Sequence, residues 1–277
     1  MLNFWEKLDK SSRDNKSALV VGLDPDVFKM PEGIDREPHG VHEFLGRIVA
    51  STSDHVCAFK PNLSFYLMMG AQGIEVLRAM TSRIPKHIPI ILDCKFGDVG
   101  HTAERFAYFA REHIRANAVT INPYIGTDTI KPFLEAGLDV FLLCATSNPS
   151  YAEVEGITAD GMPLYAKVAE LAEQWMDKFD RRMGLVVGAT HPGLFEEIRN
   201  ISPNSHFLVP GIGAQGGELE SALKCGKTKD GSLPLIVSAR VIIYASACEN
   251  FDDAARAAAI ELKTKINAIG GFYDEAG

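Results

Sequence analysis

Eight short apolar segments recur along the chain, and amphipathic stretches such as TAERFAYFAREHIRA and PLYAKVAELAEQWMDKF follow them. The apolar segments are almost continuous runs of aliphatic and β-branched residues, which is typical of parallel strands covered on both faces. They occupy residues 17–24, 56–62, 88–95, 118–124, 140–147, 184–190, 206–213 and 233–240. Eight consecutive strand–helix units predict an α/β protein with a (β/α)8 fold, the TIM barrel.

A doubly wound parallel sheet is the competing arrangement, but it seldom uses eight consecutive units. No linker or shift in composition divides the 277 residues, so we expect a single barrel domain over residues 1–277. Two longer segments, PDVFKMPEGIDREPHG and NPSYAEVEGITADGMP, follow the first and fifth predicted strands. Each is a candidate lid or substrate-contacting loop, and a surface insertion without a function fits each about equally well.

Polar residues stand at the ends of the predicted strands, where the chemistry of such barrels takes place. They are Asp24, Lys60, Asn62, Asp93, Lys95, Asn122, Thr146, Ser147, Asn148 and Arg240. Strand alternation predicts that Asp93 and Lys95 project the same way, and Lys60 of the neighbouring strand can join them. For any single charged residue, the alternative interpretation is a solvated salt bridge at the rim. That interpretation is weaker for several charges on adjacent strand ends, because burying an unpaired charge costs several kcal/mol.

The segment ILDCKFGDVGHTAERF, residues 91–106, places Asp93, Lys95 and Asp98 within six residues. Nearby carboxylates favour the protonated form of a lysine. We therefore expect Lys95 to act as a general acid and electrostatic contact rather than as the neutral amine of a Schiff-base enzyme.

A glycine-rich turn, GIGAQG at residues 211–216, matches the G-x-G-x-x-G pattern. It follows the seventh predicted strand, and the next strand ends in Arg240 rather than in an acidic residue, which disfavours dinucleotide binding. Loops after strands seven and eight of barrels commonly bind phosphate through backbone amides and a helix N-terminus. Gln215 and Arg240 can add side-chain contacts to the phosphate. The pattern therefore favours a binding site for a phosphate monoester; the alternative is a tight glycine turn that binds nothing and lies beside an arginine at the rim.

The composition limits the classes of partner. A net charge of −8 and a pI near 5.5 do not suggest a nucleic-acid surface. No apolar run approaches the 18 or so residues that span a membrane. The five scattered cysteines lack CxxC spacing, the histidines lack HxH or HExxH patterns, and the first residues lack the apolar core of a secretory signal. We expect a cytoplasmic protein without a metal site.

These motifs together resemble the orotidine 5′-phosphate decarboxylase family. VGLDPD, FKPN, LDCKFGDVGHTA with its D-x-K-x-x-D pattern, TSNP and PGIGAQGG with Arg240 lie in the family's order between residues 21 and 240. NPYIGTDTIKPFL and the insertion after the fifth strand resemble the longer bacterial-type branch. D-x-K-x-x-D alone is shared with sugar-phosphate relatives, whereas the combination is specific to this family.

The resemblance implies roles for individual residues. Its catalytic network corresponds to Lys60, Asp93, Lys95 and Asp98. Asp98 and Thr102 would reach into the site of a second copy, which makes the protein a homodimer. The substrate-binding residues would be Asp24 for the ribose, Ser147 or the adjacent Thr146 for the pyrimidine, and Gly213, Gln215 and Arg240 for the phosphate. Phe96 stands where this branch often carries arginine, which affects local contacts only.

The resemblance also implies an activity, the decarboxylation of orotidine 5′-phosphate to UMP and CO2 in pyrimidine biosynthesis, without a metal or cofactor. Lys95 would stabilise and then protonate C6 of the pyrimidine. A sugar-phosphate decarboxylase or hexulose-phosphate synthase is one alternative; such relatives hold Mg²⁺ through acidic residues, whereas the second strand here offers Lys60. A non-catalytic protein that binds a phosphate ligand is the other. The expected partners are a nucleotide and a second copy of the chain, with neither nucleic acid nor membrane.

Overall fold

A computed structural model describes residues 2–212 and 216–272. The strands are β1 (Leu19–Leu23), β2 (Ala58–Pro61), β3 (Ile91–Phe96), β4 (Ala118–Ile121), β5 (Asp139–Ala145), β6 (Thr158–Ala159), β7 (Met162–Pro163), β8 (Gly184–Val187), β9 (His206–Val209) and β10 (Leu235–Ser238). Eight of them form one parallel sheet in the order β2-β1-β10-β9-β8-β5-β4-β3. The short antiparallel pair β6–β7 lies in the insertion after β5.

Helices lie between the strands. They are α1 (Phe4–Asn15), α2 (Pro38–Thr52), α3 (Leu63–Leu67), α4 (Gly70–Arg83), α5 (Gly100–Tyr108), α6 (Thr127–Glu135), α7 (Leu164–Phe179), α8 (Leu194–Ile201), α9 (Gly216–Cys225), α10 (Arg240–Ile243) and α11 (Phe251–Gly270). Their apolar sides pack on the outer face of the sheet, where Phe44, Phe133 and Phe195 are fully buried. None of the helices within the described ranges has the length and apolar character needed to cross a membrane.

Two isolated bridges close the barrel between β2 and β3. They pair Phe59 with Ile90 and Asn62 with Asp93. The predicted (β/α)8 barrel is therefore confirmed. The strands are shorter than predicted because the last polar residues of most predicted segments leave the ladder and form loops at the C-terminal mouth. The seventh predicted segment, residues 206–213, runs one residue past the described range.

The N-terminal end of the barrel is closed by α1. Asn3 and Glu6 form a reciprocal capping box that begins this helix. Phe4 and Trp5 then pack edge-on or tilted against Phe141 inside the barrel, with ring centroids 5.7 and 5.5 Å apart. A Cβ atom on Gly184 would lie 2.2 Å from the Phe141 ring, so glycine is required for this packing. This apolar packing fills the barrel interior at the end opposite the C-terminal mouth.

His206 begins β9 at this closed end and is only 4% exposed. Its ring packs on Trp5 at a centroid distance of 4.9 Å. Burial, aided by the nearby charge of Arg182, lowers the pKa of His206 to about 4. The folded protein therefore favours the neutral ring at neutral pH.

We predict that acid destabilises the fold through His206. Because the folded pKa lies below the unfolded value of about 6.5, the stabilisation is fully present above pH 6.5 and decreases as the pH falls towards 4. The linked loss is about 3 kcal/mol by pH 4. Urea unfolding of the parent and of His206→Gln across this pH range measures it as the difference between two curves.

The exposed His87 offers a matched control. The His87→Gln variant should follow the parent curve throughout. A His206→Gln curve that runs parallel to the parent between pH 4 and 6.5 would contradict the assignment.

Candidate active site

Three charged side chains predicted from strand ends meet at the mouth between β2 and β3. The Nζ atom of Lys60 lies 2.6 Å from Oδ2 of Asp93. The Nζ atom of Lys95 lies 2.6 Å from Oδ1 of the same carboxylate. Lys60 and Asp93 are buried, whereas the Lys95 side chain is 47% exposed. The buried pair thus supports one ammonium group that faces the mouth.

The ionisation of this cluster is set by the competition between burial and charge. Burial alone raises the pKa of Asp93, but the Lys60 and Lys95 charges outweigh it and hold that pKa well below its usual range. Burial lowers the pKa of Lys60, and the charges of Asp93 and Asp24 reverse the shift, so that the pKa is raised overall. Lys60 and Asp93 are therefore a charged pair at neutral pH.

Asp24 follows β1 and lies beside this pair. Its Oδ1 atom accepts a hydrogen bond of 3.2 Å from the backbone N–H of Asn62. Burial raises the pKa of Asp24, although the Lys60 ammonium opposes that shift. A carboxylate that accepts one backbone N–H bond at the mouth keeps acceptor capacity for the hydroxyl groups of a ligand.

The local geometry of β3 differs from the regular alternation expected of a strand. Leu92 pairs with Val119 and Phe96 with Ile121, so the register shifts between these two positions. Within this irregular segment Lys95 has φ +49°, in the left-handed region that residues other than glycine seldom adopt. Asp93 and Lys95 converge as predicted, but a bulge brings them together rather than a uniform period of two.

Asp98 and Thr102 do not join the cluster within one chain. An Oδ1 atom of Asp98 accepts the backbone N–H of Val99 at 2.8 Å, and the Lys95 ammonium contacts Asp93 instead. Thr102 is exposed on the first turns of α5. The expectation that both residues serve a second copy stays a prediction.

Ser147 lies where three segments of the mouth approach one another. It follows β5, and its backbone carbonyl accepts a hydrogen bond of 3.1 Å from the Thr190 hydroxyl. A Cβ atom on Gly188 would lie 2.6 Å from the backbone of Ser147, so this close approach requires glycine. Gly211, at the start of the glycine-rich turn, also approaches Ser147, because a Cβ atom on it would lie 3.3 Å from the Ser147 Cβ. The predicted pyrimidine contact is therefore next to Gly211, the first residue of the glycine-rich turn.

Thr146 has a different contact from the one predicted. Its hydroxyl lies 2.5 Å from Oε1 of Glu155, and its backbone N–H donates to Oε2 at 2.7 Å. Glu155 belongs to the insertion after β5. The insertion is further held by packing of Tyr151 on His191, with ring centroids 3.8 Å apart. Thr146 thus fastens the insertion to the barrel, and its predicted contact with a pyrimidine stays a prediction.

The predicted phosphate site is described only in part. Arg240 is exposed and begins α10, two residues after β10 ends at Ser238, whereas the sequence pattern placed it at the strand end itself. Gly213 and Gln215 lie outside the described residues. Across residues 2–212 and 216–272, no group of three or more His, Cys, Asp or Glu side chains is placed to hold a metal ion.

Sequence reasoning missed two polar residues that the structure brings into this region. Glu155 lies in an insertion without a recognisable motif. Thr120 lies within the fourth apolar segment, and its hydroxyl donates a hydrogen bond of 2.9 Å to Oδ1 of Asp93. The available signal was a hydroxyl residue in the middle of an otherwise apolar strand segment.

We predict that removing one charge of the buried pair destabilises the fold. Lys60→Met leaves the Asp93 carboxylate without its buried partner, and the expected cost is about 3–5 kcal/mol in urea unfolding. Adding Asp93→Asn removes the remaining charge and should recover most of that loss.

Lys131 supplies the control for this prediction because its ion pair with Glu135 is exposed, at 63% and 64%. Lys131→Met should change stability by less than about 0.5 kcal/mol. Equal effects of the two single substitutions would contradict the buried-pair argument.

Comparisons with known proteins identify the family of the chain. The sequence model of the Orotidine 5'-phosphate decarboxylase / HUMPS family matches residues 17–250. The chain is 41% identical over 271 residues to an orotidine 5'-phosphate decarboxylase from Thermomicrobium roseum, covering 97% of this chain and 96% of that protein. It is 43% identical over 270 residues to one from Roseiflexus sp., covering 96% and 98%. The solved structure of Leishmania donovani OMP decarboxylase matches with a TM-score of 0.84 and 35% identity, covering 98% and 99%. This chain belongs to the orotidine 5'-phosphate decarboxylase / HUMPS family.

Proposed function

We propose that this chain, acting as one catalytic domain over residues 1–277, decarboxylates orotidine 5′-phosphate to UMP and CO2 in pyrimidine biosynthesis. The observation that carries the proposal is the Lys95 ammonium, held 2.6 Å from Asp93 at the open mouth of the barrel. Relatives that carry the name of this enzyme match the chain over nearly its full length, which supports the same activity here.

In the proposed reaction, the bond between C6 and the carboxylate carbon breaks and its electron pair stays on C6. The positive charge of Lys95 stabilises that developing charge. Lys95 then donates a proton to C6 as a general acid, and solvent restores the proton to its amine. The 47% exposure of its side chain is consistent with access to both substrate and solvent.

Asp93 and Lys60 prepare Lys95 for this task. Asp93 orients the ammonium through the 2.6 Å ion pair, and Lys60 keeps Asp93 ionised from the buried side. A substrate carboxylate placed beside Asp93 would be repelled, and this repulsion decreases as neutral CO2 departs. The arrangement favours loss of the carboxylate over its retention.

The remaining predicted residues would bind parts of the substrate that are remote from the reacting carbon C6. Arg240, Gln215 and Gly213 would bind the phosphate, since arginine and backbone amides suit oxyanions. Asp24 would accept hydrogen bonds from the ribose, and Ser147 would contact the pyrimidine. Ser147 is the better candidate of the TSNP pair because the Thr146 hydroxyl is occupied by Glu155. Binding energy from the phosphate would serve the reaction at C6.

Replacement of Lys95 tests the proposal. Lys95→Ala removes both the stabilising charge and the proton donor, and we expect kcat to fall by at least about 10⁴-fold. Binding of UMP, measured by calorimetry, should stay within about tenfold of the parent. Loss of orotidylate absorbance in the ultraviolet measures turnover.

Lys131→Ala is the control, because Lys131 lies in an exposed ion pair on α6. The same assay separates the alternatives. Inhibition by EDTA would favour a metal-dependent sugar-phosphate enzyme, and tight UMP binding without any turnover by the parent would favour a binding protein. Normal turnover by Lys95→Ala would exclude the proposed role of that residue.

We also place a homodimer and a cytoplasmic location within this proposal. Large apolar side chains are exposed after three adjacent strands, β2, β3 and β4. They are Leu67, Met68, Val99, Tyr124 and Ile125, with exposures from 41% to 83%. Exposed apolar side chains after adjacent strands favour a second copy of the chain as their cover, and Asp98 is the chain neighbour of one of them, Val99. All five cysteines are free, which suits a reducing compartment.

Complementation tests the shared site. Lys95→Ala and Asp98→Asn should each be nearly inactive as homodimers. In a mixed dimer, one site carries both substitutions and the other carries neither. Random association of co-expressed chains should therefore restore about a quarter of the parent activity, measured in the ultraviolet assay.

The two purified variants assayed separately supply the baseline for this experiment. Mixed dimers no more active than that baseline would show that Lys95 and Asp98 act within the same chain, or that Asp98 takes no part.

A further inference from the structure

The hydroxyl of Thr120 uses its full hydrogen-bonding capacity inside the protein. It donates to Oδ1 of Asp93 at 2.9 Å. It accepts the backbone N–H of Cys94 at 3.0 Å and that of Lys95 at 2.9 Å. One donor and two acceptor positions are all a hydroxyl offers. Thr120 is 2% exposed, so these contacts are formed away from solvent.

The register shift in β3 explains why a side chain has this role. Leu92 pairs with Val119 and Phe96 with Ile121, so on the β4 side residues 93–95 of β3 lie opposite the single residue Thr120. A bulge of this kind removes backbone amides from the regular ladder. The Thr120 hydroxyl takes the place of the ladder carbonyl for Cys94 and Lys95.

The same contacts fix an unfavourable backbone conformation. Lys95 has φ +49°, in the left-handed region. A residue other than glycine is held in this region by the structure around it. The hydrogen bond from the Lys95 amide to Thr120 helps to enforce it. The bond to Asp93 then fixes the carboxylate oxygen that the Lys95 ammonium also contacts.

We propose that Thr120 is a positioning residue that sets both the backbone of Lys95 and the carboxylate of Asp93, and thereby aims the Lys95 ammonium at the reacting carbon. This inference rests on the proposed roles of Lys95 and Asp93. Thr120 acts through these two residues and makes no contact with substrate itself. Its loss should therefore reduce kcat without a matching loss of ligand affinity.

The test is a series of side chains at residue 120. Thr120→Val keeps the shape and removes the hydroxyl, and we expect kcat to fall about 10- to 100-fold because small misplacements of reacting groups have effects of this size. Thr120→Ser keeps the hydroxyl and should stay within about threefold of the parent. The dissociation constant of UMP should change by less than about threefold in both variants.

Thr52→Val is the matched control. Thr52 is equally buried, and its hydroxyl bonds the Ile48 carbonyl at 2.7 Å within α2, on the outer face of the sheet. Its kcat should equal that of the parent. If Thr120→Val does not fold, Thr120→Cys, which keeps a weaker donor and acceptor, replaces it and should have a kcat below that of Thr120→Ser.

The outcomes separate this inference from the proposed function. No orotidylate turnover by the parent, or full turnover by Lys95→Ala, would contradict the proposed function. An active parent and an inactive Lys95→Ala, together with unchanged kcat in Thr120→Val or in its cysteine substitute, would contradict the role of Thr120 alone. A fall in kcat matched by an equal loss of UMP affinity, or shared by Thr120→Ser, would also overturn it.

Discussion

The buried carboxylate of Asp93 is the interaction on which the rest of the site depends. An isolated carboxylate at 8% exposure would be strongly disfavoured, and the ammonium groups of Lys60 and Lys95 together with the Thr120 hydroxyl make its charge tolerable. These partners come from β2, β3 and β4. One charge therefore ties together three adjacent strands, including the seam where two isolated bridges close the barrel.

The two ends of the barrel differ in what they contribute: the N-terminal end contributes apolar packing, and the C-terminal end carries the charged site. At the N-terminal end, Phe4 and Trp5 pack on Phe141 and close the interior with apolar surface. At the C-terminal end, buried ions and a left-handed Lys95 are features that cost stability in most settings. The well-packed end compensates for the strained one, so the site can hold a geometry suited to its reaction rather than to the fold.

The sequence was sufficient for the barrel, which follows from strand patterning, and for the meeting of Lys60 with Asp93, which follows from the common edge of parallel strands. It also predicted that Asp93 and Lys95 converge, although the regular alternation on which that prediction rested is absent there. It could not reveal the bulge in β3, since the bulge depends on the register with β4. The role of Thr120 followed only from that register. The position of Arg240 in α10 rather than in a strand, and the contact of Thr146 with Glu155, likewise depend on loop conformations that no local pattern encodes.

The charge distribution bears on how an anionic nucleotide reaches this site. The chain carries a net charge of −8, which repels such a ligand at long range. Salt limits that repulsion to about 8–10 Å, so the charges nearest the mouth decide the final approach. Lys60, Asp93 and Lys95 together carry one net positive charge, which the neighbouring Asp24 offsets when it is ionised, and Arg240 adds a cation on the same side of the barrel. The phosphate and carboxylate of a bound nucleotide would therefore meet individually placed cations, Lys95 and Arg240, although the chain as a whole is acidic.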